Sequence, residues 1–103
     1  MRQLLEVIVN DPGGFVGQHI AQGAFYAEVG TKLIIAYCAS ACLMMVAQVP
    51  KENVCVRPDA WFGYHTLAAH LNEHGVCCTE STQTMQWLRG REWAKANGYA
   101  LCK

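Results

Sequence analysis

Residues 33–50, LIIAYCASACLMMVAQVP, contain no charged side chain and change in composition part-way along. The first part is rich in β-branched residues, which favour a strand, and the second is rich in Ala, Met and Leu, which favour a helix. A run of this length is also just long enough to suggest a membrane span. The change in composition favours a buried strand that leads into a buried helix. This helix is expected to begin at Ser40 and to end at Pro50.

On the amino-terminal side, the sequence predicts a strand, a turn and a helix. Residues 4–10, LLEVIVN, form a nearly continuous apolar run, as expected for a strand that is covered on both faces. The DPGG tetrapeptide at 11–14 indicates a turn. A helix that stops at Gly30 should follow, because apolar residues recur at helical spacing. These residues are Val16, Ile20, Ala24 and Ala27.

On the carboxy-terminal side, NVCVRP at 53–58 and AWFGYH at 60–65 are two short β-like runs. A helical region is expected over about 79–98, although Gly90 weakens its middle. The alternation of strands and helices predicts right-handed βαβ units and an α/β fold with a mainly parallel sheet. A chain of 103 residues has the usual size of one domain, so a single domain over 1–103 is expected.

Composition excludes some classes of function. Eight basic and eight acidic side chains cancel, so the chain has no overall field that would attract nucleic acid or an anionic membrane, and neither partner is predicted. The first fourteen residues lack the features of a signal peptide. The expectation is therefore a cytoplasmic protein whose six cysteines are free thiols, with pairing left open. No cofactor is predicted.

Ser40 is the first candidate for chemistry. A strand that ends just before a helix beginning at serine presents backbone N–H groups and a positive helix end beside the hydroxyl, which suits stabilisation of an oxyanion. The alternative is that Ser40 only caps a core helix. The local pattern alone favours the cap.

Three segments together favour a nucleophile. VIVNDPGG at 7–14, CASAC at 38–42 and RPDAWFGYH at 57–65 resemble the proteolytic subunit of the Clp proteases, in the Clp and crotonase superfamily. In that family a strand ends in a Gly-Gly turn, a later elbow carries the nucleophilic serine, and a histidine ends a further strand. The resemblance covers about residues 4–67, and the spacing from Ser40 to His65 matches the family.

The resemblance implies a role for each matching residue. Ser40 would be the nucleophile and His65 the general base. The backbone amides of Gly14 and Ala41 would form the oxyanion hole. The supporting turn would be completed by Pro12 and Gly13. The substrate would be a peptide or unfolded protein, bound as an added strand.

The sequence also departs from the family. The aspartate that orients the histidine in Clp proteases would fall beyond residue 103, so the chain resembles a minimal or truncated member. Substitutes are sought among the glutamates, each of which is more typical of a solvated surface charge. The candidates are Glu73, Glu80 and Glu92. Without an orienting acid, turnover is expected to be weak or conditional.

Cysteine and histidine residues allow two further interpretations. Cys38 and Cys42 could pair, but they are expected to be small buried hydrophobic residues. The segment HLNEHGVCC at 70–78 has metal-binding residue types and fits the H-x-x-E-H pattern of inverted zinc peptidases. A polar surface loop is favoured over a structural zinc site, and a zinc peptidase comes last. The residues of this cluster are His70, His74, Cys77 and Cys78.

Three hypotheses follow from these observations. The first is a Clp-like serine peptidase, and the second is an inactive Clp-fold protein kept for binding or assembly, with a possible Clp-type partner. A crotonase-type enzyme acting on acyl-CoA is the third. Self-association is expected in each case, because so short a fold exposes apolar surface that relatives bury between subunits.

Overall fold

The first three strands of the fold are parallel and are connected by two helices. The computed structural model describes residues 5–66, 69–72, 75–78 and 84–103, with side chains at 5–64 and 85–103. Helix α1 crosses from the first strand to the second, and helix α2 leads from the second towards the third, as two βαβ units require. The elements are β1 (Glu6–Asp11), α1 (Val16–Val29), β2 (Lys32–Ala39), α2 (Cys42–Ala47) and β3 (Val54–Thr66).

The remaining elements extend this sheet and add a hairpin. One further strand pairs antiparallel with β3 and another pairs parallel with it, so that the main sheet has five strands in the order β1-β2-β3-β6, with β7 beside β3. Two short strands pair antiparallel with each other. These elements are β4 (Ala69–Asn72), β5 (Gly75–Cys78), β6 (Thr84–Arg89), α3 (Gly90–Asn97) and β7 (Ala100–Leu101); a short 3₁₀ helix (Lys51–Asn53) precedes β3.

The core lies between one face of the sheet and helices α2 and α3. Alternate residues of the parallel strands point to this face and are buried, whereas Ile8 on the opposite face of β1 is 58% exposed, so the expected coverage of β1 on both faces is wrong. Trp93 of α3 stacks on Phe62 of β3 with ring centroids 3.9 Å apart, and Tyr99 stacks on the other side of Trp93. The largest fully buried side chains are Phe62, Leu33, Ile35, Val46 and Val56.

Helix α1 packs differently from the sequence prediction. It stops at Gly30 in the left-handed conformation, as expected. Its buried residue is Gly23, where a Cβ would collide with the carbonyl oxygen of Met45. The predicted apolar stripe is not the buried face, since Val16 and Ala24 are exposed. The small size of Gly23 lets α1 lie close against α2.

Two predicted helices are shorter than expected. The helix after Ser40 begins at Cys42 and ends at Ala47. The helical region predicted over 79–98 is helical only from Gly90 to Asn97, while Thr84–Arg89 form strand β6, and residues 79–83 lie outside the described part. Gly90 opens α3 because its lack of a side chain lets it pack against Arg57 and Ala60 of β3.

The expectation of free thiols is wrong for four cysteines. Cys38 is bonded to Cys42, and Cys55 is bonded to Cys102. The first bond joins the end of β2 to the first residue of α2, and the second ties β3 to the residue after β7. Cys38 and Cys42 are buried, as predicted, but as a disulfide.

The prediction of an α/β fold in a single compact domain with a mostly parallel sheet is confirmed. Within the described part of the chain, every helix is too short or too polar to cross a membrane.

Candidate functional site

Ser40 has an unusual backbone conformation at the end of strand β2. Its φ is +56°. Among the described residues, every other residue with a positive φ is a glycine. Its N–H donates to the carbonyl oxygen of Gly63 on β3 at 2.8 Å, and its own carbonyl accepts from Leu43 at 3.0 Å. Such conformations cost free energy and concentrate at functional sites.

Ser40 is not the cap of helix α2. The capping position is Ala41, and no side chain donates or accepts a capping hydrogen bond there. The alternative interpretation of Ser40, a simple helix cap, is therefore wrong. The chain instead makes a tight left-handed elbow at Ser40 between the strand and the helix.

The predicted Gly-Gly turn lies directly against this elbow. We call residues 11–15 the glycine turn. Gly13 has φ +103°, and a Cβ placed on it would lie 2.9 Å from the Cβ of Ser40 and 3.5 Å from the backbone nitrogen of Ala41. Only glycine permits both this conformation and this approach. Pro12 is exposed on the outer side of the turn.

The two N–H groups predicted to form an oxyanion hole lie on these two segments. Gly14, with φ +151°, follows Gly13 in the glycine turn, and Ala41 follows Ser40. Among the described residues, neither N–H has a hydrogen-bond acceptor. Helix α2 has only six residues, so stabilisation of an anion would come from these N–H groups more than from a helix dipole.

The glycine turn is held by two residues that the sequence interpretation missed. Asp11 accepts a hydrogen bond from the N–H of Gly13 at 2.8 Å through Oδ1. Its Oδ2 lies 2.9 Å from Nε2 of His19, and Nδ1 of His19 lies 2.8 Å from the carbonyl oxygen of Phe15. The ring therefore connects the two ends of the turn.

The pKa of His19 is raised above its usual value of 6.5. The largest cause is the hydrogen bond to the Phe15 carbonyl; burial opposes it, and the hydrogen bond and the negative charge of Asp11 add to it. Both oxygens facing the ring are acceptors, so only the doubly protonated ring can donate to both. Because both ring nitrogens have partners, His19 is not free to act as the base for Ser40.

His65 lies on β3, the strand to which the backbone of Ser40 is hydrogen-bonded. The carbonyl that accepts the N–H of Ser40 belongs to Gly63, two residues before His65 along β3. The backbone of His65 pairs with that of Met85 on β6. The structure therefore brings the backbone segments of Ser40 and His65 together, and the side chain of His65 lies outside the described part of the chain.

The orienting acid and the zinc cluster gain no support. Glu92 is exposed in the first turn of α3, as a solvated charge would be, and Glu73 and Glu80 lie outside the described residues. His70, Cys77 and Cys78 lie on strands β4 and β5, not on a helix. Their side chains and all of His74 lie outside the described part, within which no group of three metal-binding residues occurs.

An open aromatic cavity lies on the other face of the sheet. It has a volume of about 470 Å³ and is lined by Tyr37, Trp61 and Trp87. Trp87 covers Gly63, where a Cβ would lie 2.6 Å from its ring, and the guanidinium of Arg89 lies 4.0 Å above the ring of Trp61. The face opposite the helices therefore presents large aromatic side chains close to Gly63, the residue whose carbonyl oxygen accepts the N–H of Ser40.

Comparison of this chain with protein-family models, with curated proteins and with solved structures finds no match.

Proposed function

We propose that the protein is a Clp-like serine peptidase, a minimal member of the Clp and crotonase superfamily, with Ser40 as nucleophile. The observation that carries the proposal is the left-handed elbow at Ser40 packed against the glycine turn. A nucleophile needs an exposed hydroxyl beside N–H groups that have no other acceptor. Gly14 and Ala41 offer such groups from the two segments that meet at Ser40.

In the proposed reaction, Oγ of Ser40 attacks the carbonyl carbon of a peptide bond while its proton passes to His65. The carbonyl oxygen becomes an oxyanion that the N–H groups of Gly14 and Ala41 bind. The C–N bond then breaks, and the leaving amine takes the proton from His65. Water hydrolyses the acyl-enzyme by the reverse sequence of proton transfers. The peptide substrate would lie along the site as an added strand.

The proposed activity is weak or conditional, because the segments that resemble the family contain no counterpart of the aspartate that orients the histidine. Glu92 is exposed in the first turn of α3, and loss of an orienting acid costs on the order of ten thousand-fold in well-studied proteases. A second candidate function, a binding or assembly protein of the same fold, is favoured by this lack and by the open aromatic cavity. A crotonase-type enzyme ranks last, since it does not need a serine and a histidine at this spacing.

Assembly and location belong to the same proposal. We propose a homo-oligomer that can bind a Clp-type partner and is located in the cytoplasm. The two disulfides count against the cytoplasmic location, because reductants keep thiols reduced in the cytoplasm. Cys38 and Cys42 are fully buried, which would shield that bond, whereas Cys55 and Cys102 are partly exposed and would be reduced first.

Covalent labelling of Ser40 tests the peptidase proposal. The protein is incubated with a fluorophosphonate probe, which requires an activated serine and no knowledge of the substrate, and its intact mass is measured. We expect a single adduct that disappears in Ser40→Ala and is strongly reduced in His65→Ala. The replacement of another serine, Ser81→Ala, is the matched control and should label as the wild type does.

The absence of any adduct on folded protein would contradict the peptidase proposal and leave the binding protein. Binding of acyl-CoA by the unlabelled protein would then favour the crotonase-type enzyme. An adduct that persists in Ser40→Ala would place the reactive residue elsewhere.

A further inference from the structure

The strongest unassigned feature near Ser40 is the link between the glycine turn and helix α1. Three side-chain hydrogen bonds, all of 2.8 to 2.9 Å, join Asp11, Gly13, Phe15 and His19. They close a loop around Gly14, which itself makes none of these bonds. A Cβ placed on Gly14 would lie 3.3 Å from Cε1 of His19, so the ring also limits where the backbone of Gly14 can move.

We propose that His19 is a positioning residue for the oxyanion hole, because its ring ties Asp11 to Phe15 and so fixes the N–H of Gly14 beside Ser40. This role rests on the proposed function of Ser40. An oxyanion hole lowers the barrier only when its donors are already in place, and small displacements of such groups are costly. The glycines that the turn requires are flexible, so a side chain must supply the rigidity.

His19 performs this role best when it is protonated. The charged ring donates to Asp11 and to Phe15 at once, whereas the neutral ring has one N–H and must release one of the two oxygens. The groups that face His19 across the adjoining cavity are Asp11 from β1, Gln18 and Gln22 from α1, and Met45 from α2. Of these, Asp11 is the one with an ionisable side chain.

The sign of the pH dependence follows from the raised pKa. A group whose pKa is higher in the folded protein contributes its full stabilisation below the unfolded value of 6.5 and loses it as the pH rises through the folded pKa. The general base acts only when it is neutral, which favours higher pH. The rate of labelling of Ser40 should therefore rise and then fall as the pH increases. The fall is caused by deprotonation of His19.

The test compares His19→Gln and Asp11→Asn with the wild type. The glutamine amide at position 19 carries both of its N–H donors on one nitrogen, so it cannot reproduce the two separate donor positions of the imidazole ring. The amide at position 11 keeps an acceptor for Gly13 but loses the charge. Gln22→Ala is the matched control, since Gln22 lies on the same helix beside the same cavity. Two quantities are measured from pH 5.5 to 8.5: hydrogen exchange of the Gly13 amide by NMR, relative to the core amide of Ile35, and the rate of fluorophosphonate labelling.

We expect both variants to speed exchange at Gly13 relative to Ile35 and to slow labelling at pH 6 on the order of tenfold, with loss of the falling limb. The control should change neither quantity. Unchanged exchange at Gly13 in His19→Gln would overturn the positioning role, whether or not Ser40 reacts. If exchange at Gly13 is faster in the variants but the wild-type protein is never labelled, the proposed function has failed, and the positioning role falls with it.

Discussion

Ser40 adopts a left-handed backbone conformation that costs free energy. A left-handed conformation at a non-glycine residue costs about 1–3 kcal/mol and persists only when its surroundings hold it. Three constraints act here. The N–H of Ser40 is bonded to Gly63, a disulfide joins Cys38 and Cys42 on either side of it, and Gly13 packs against it. The elbow therefore depends on its neighbours on three segments of the chain.

The contact between Gly13 and Ser40 can be tested by adding one methyl group. In Gly13→Ala, the new Cβ would lie 2.8 Å from the carbonyl oxygen of Ala39 and 2.9 Å from the Cβ of Ser40, at a φ that alanine rarely adopts. We expect a loss of about 1–3 kcal/mol in the free energy of unfolding and a slower reaction of Ser40 with the fluorophosphonate probe. Urea unfolding and intact mass measure the two effects.

Gly17→Ala is the control for this substitution. Gly17 lies in α1 and a Cβ there would meet nothing within 4 Å, so alanine should be neutral or stabilising by up to about 1 kcal/mol. Equal free energies of unfolding for the two variants would contradict the packing described for Gly13.

At the same scale, the sequence predicted some site residues and missed others. The resemblance of three short motifs assigned Ser40 and the Gly-Gly turn to one site, and in the structure Gly13 of that turn packs against Ser40. The link from His19 to Asp11 was not predicted, because it crosses a turn whose path depends on two positive φ values. A weak signal existed, since an aspartate two residues before a glycine is typical of an Asx turn.

At the scale of elements, the predictions failed where pairing with a distant strand determines the secondary structure. Residues 84–89, TMQWLR, have reasonable helix propensity, but they pair with β3 and place Leu88 opposite Phe62. This pairing requires partners far away in the sequence, which a local pattern does not contain. Strands β1 and β2 were predicted from their apolar runs, but the burial on both faces that such runs indicate is not observed for β1, where Ile8 is 58% exposed. The disulfides also connect elements, and spacing alone leaves their pairing open.

The two disulfides should differ in their contribution to stability. In the chain-entropy treatment the effect grows with the length of the closed loop, and the sequence separations are 4 for Cys38–Cys42 and 47 for Cys55–Cys102. We expect Cys38→Ala/Cys42→Ala to lose about 2 kcal/mol and Cys55→Ala/Cys102→Ala to lose about 4 kcal/mol, measured by urea unfolding.

Each double variant serves as the control for the other. The shorter loop surrounds Ser40, so its removal should also slow labelling of Ser40, whereas removal of the longer loop should leave the labelling of folded protein unchanged. A larger loss of stability from the Cys38–Cys42 pair than from the Cys55–Cys102 pair would contradict the entropic explanation.

At the scale of the whole molecule, the sheet is covered unequally. Helices α2 and α3 cover one face, where Ala60 and Phe62 are buried. Trp61 lies between these two residues on β3, points to the other face and is 39% exposed, and Trp87 on β6 is 44% exposed. Side chains alternate along a strand, so this second face would meet solvent in a monomer. Large exposed aromatic residues of this kind mark surfaces that associate.

The proposed homo-oligomer can be tested on this face. A second copy of the chain would bury the aromatic cavity, so we expect the average mass of the wild type, measured by light scattering after size exclusion, to rise with concentration. Trp61→Ala removes a ring that borders the cavity and carries the Arg89 guanidinium, and it should shift the protein towards monomer. Phe25→Ala removes an aromatic ring of α1 that is 55% exposed, and it should leave the mass unchanged. A monomeric wild type at every concentration would contradict self-association, and an equal shift in both variants would show that the association is not specific to this face.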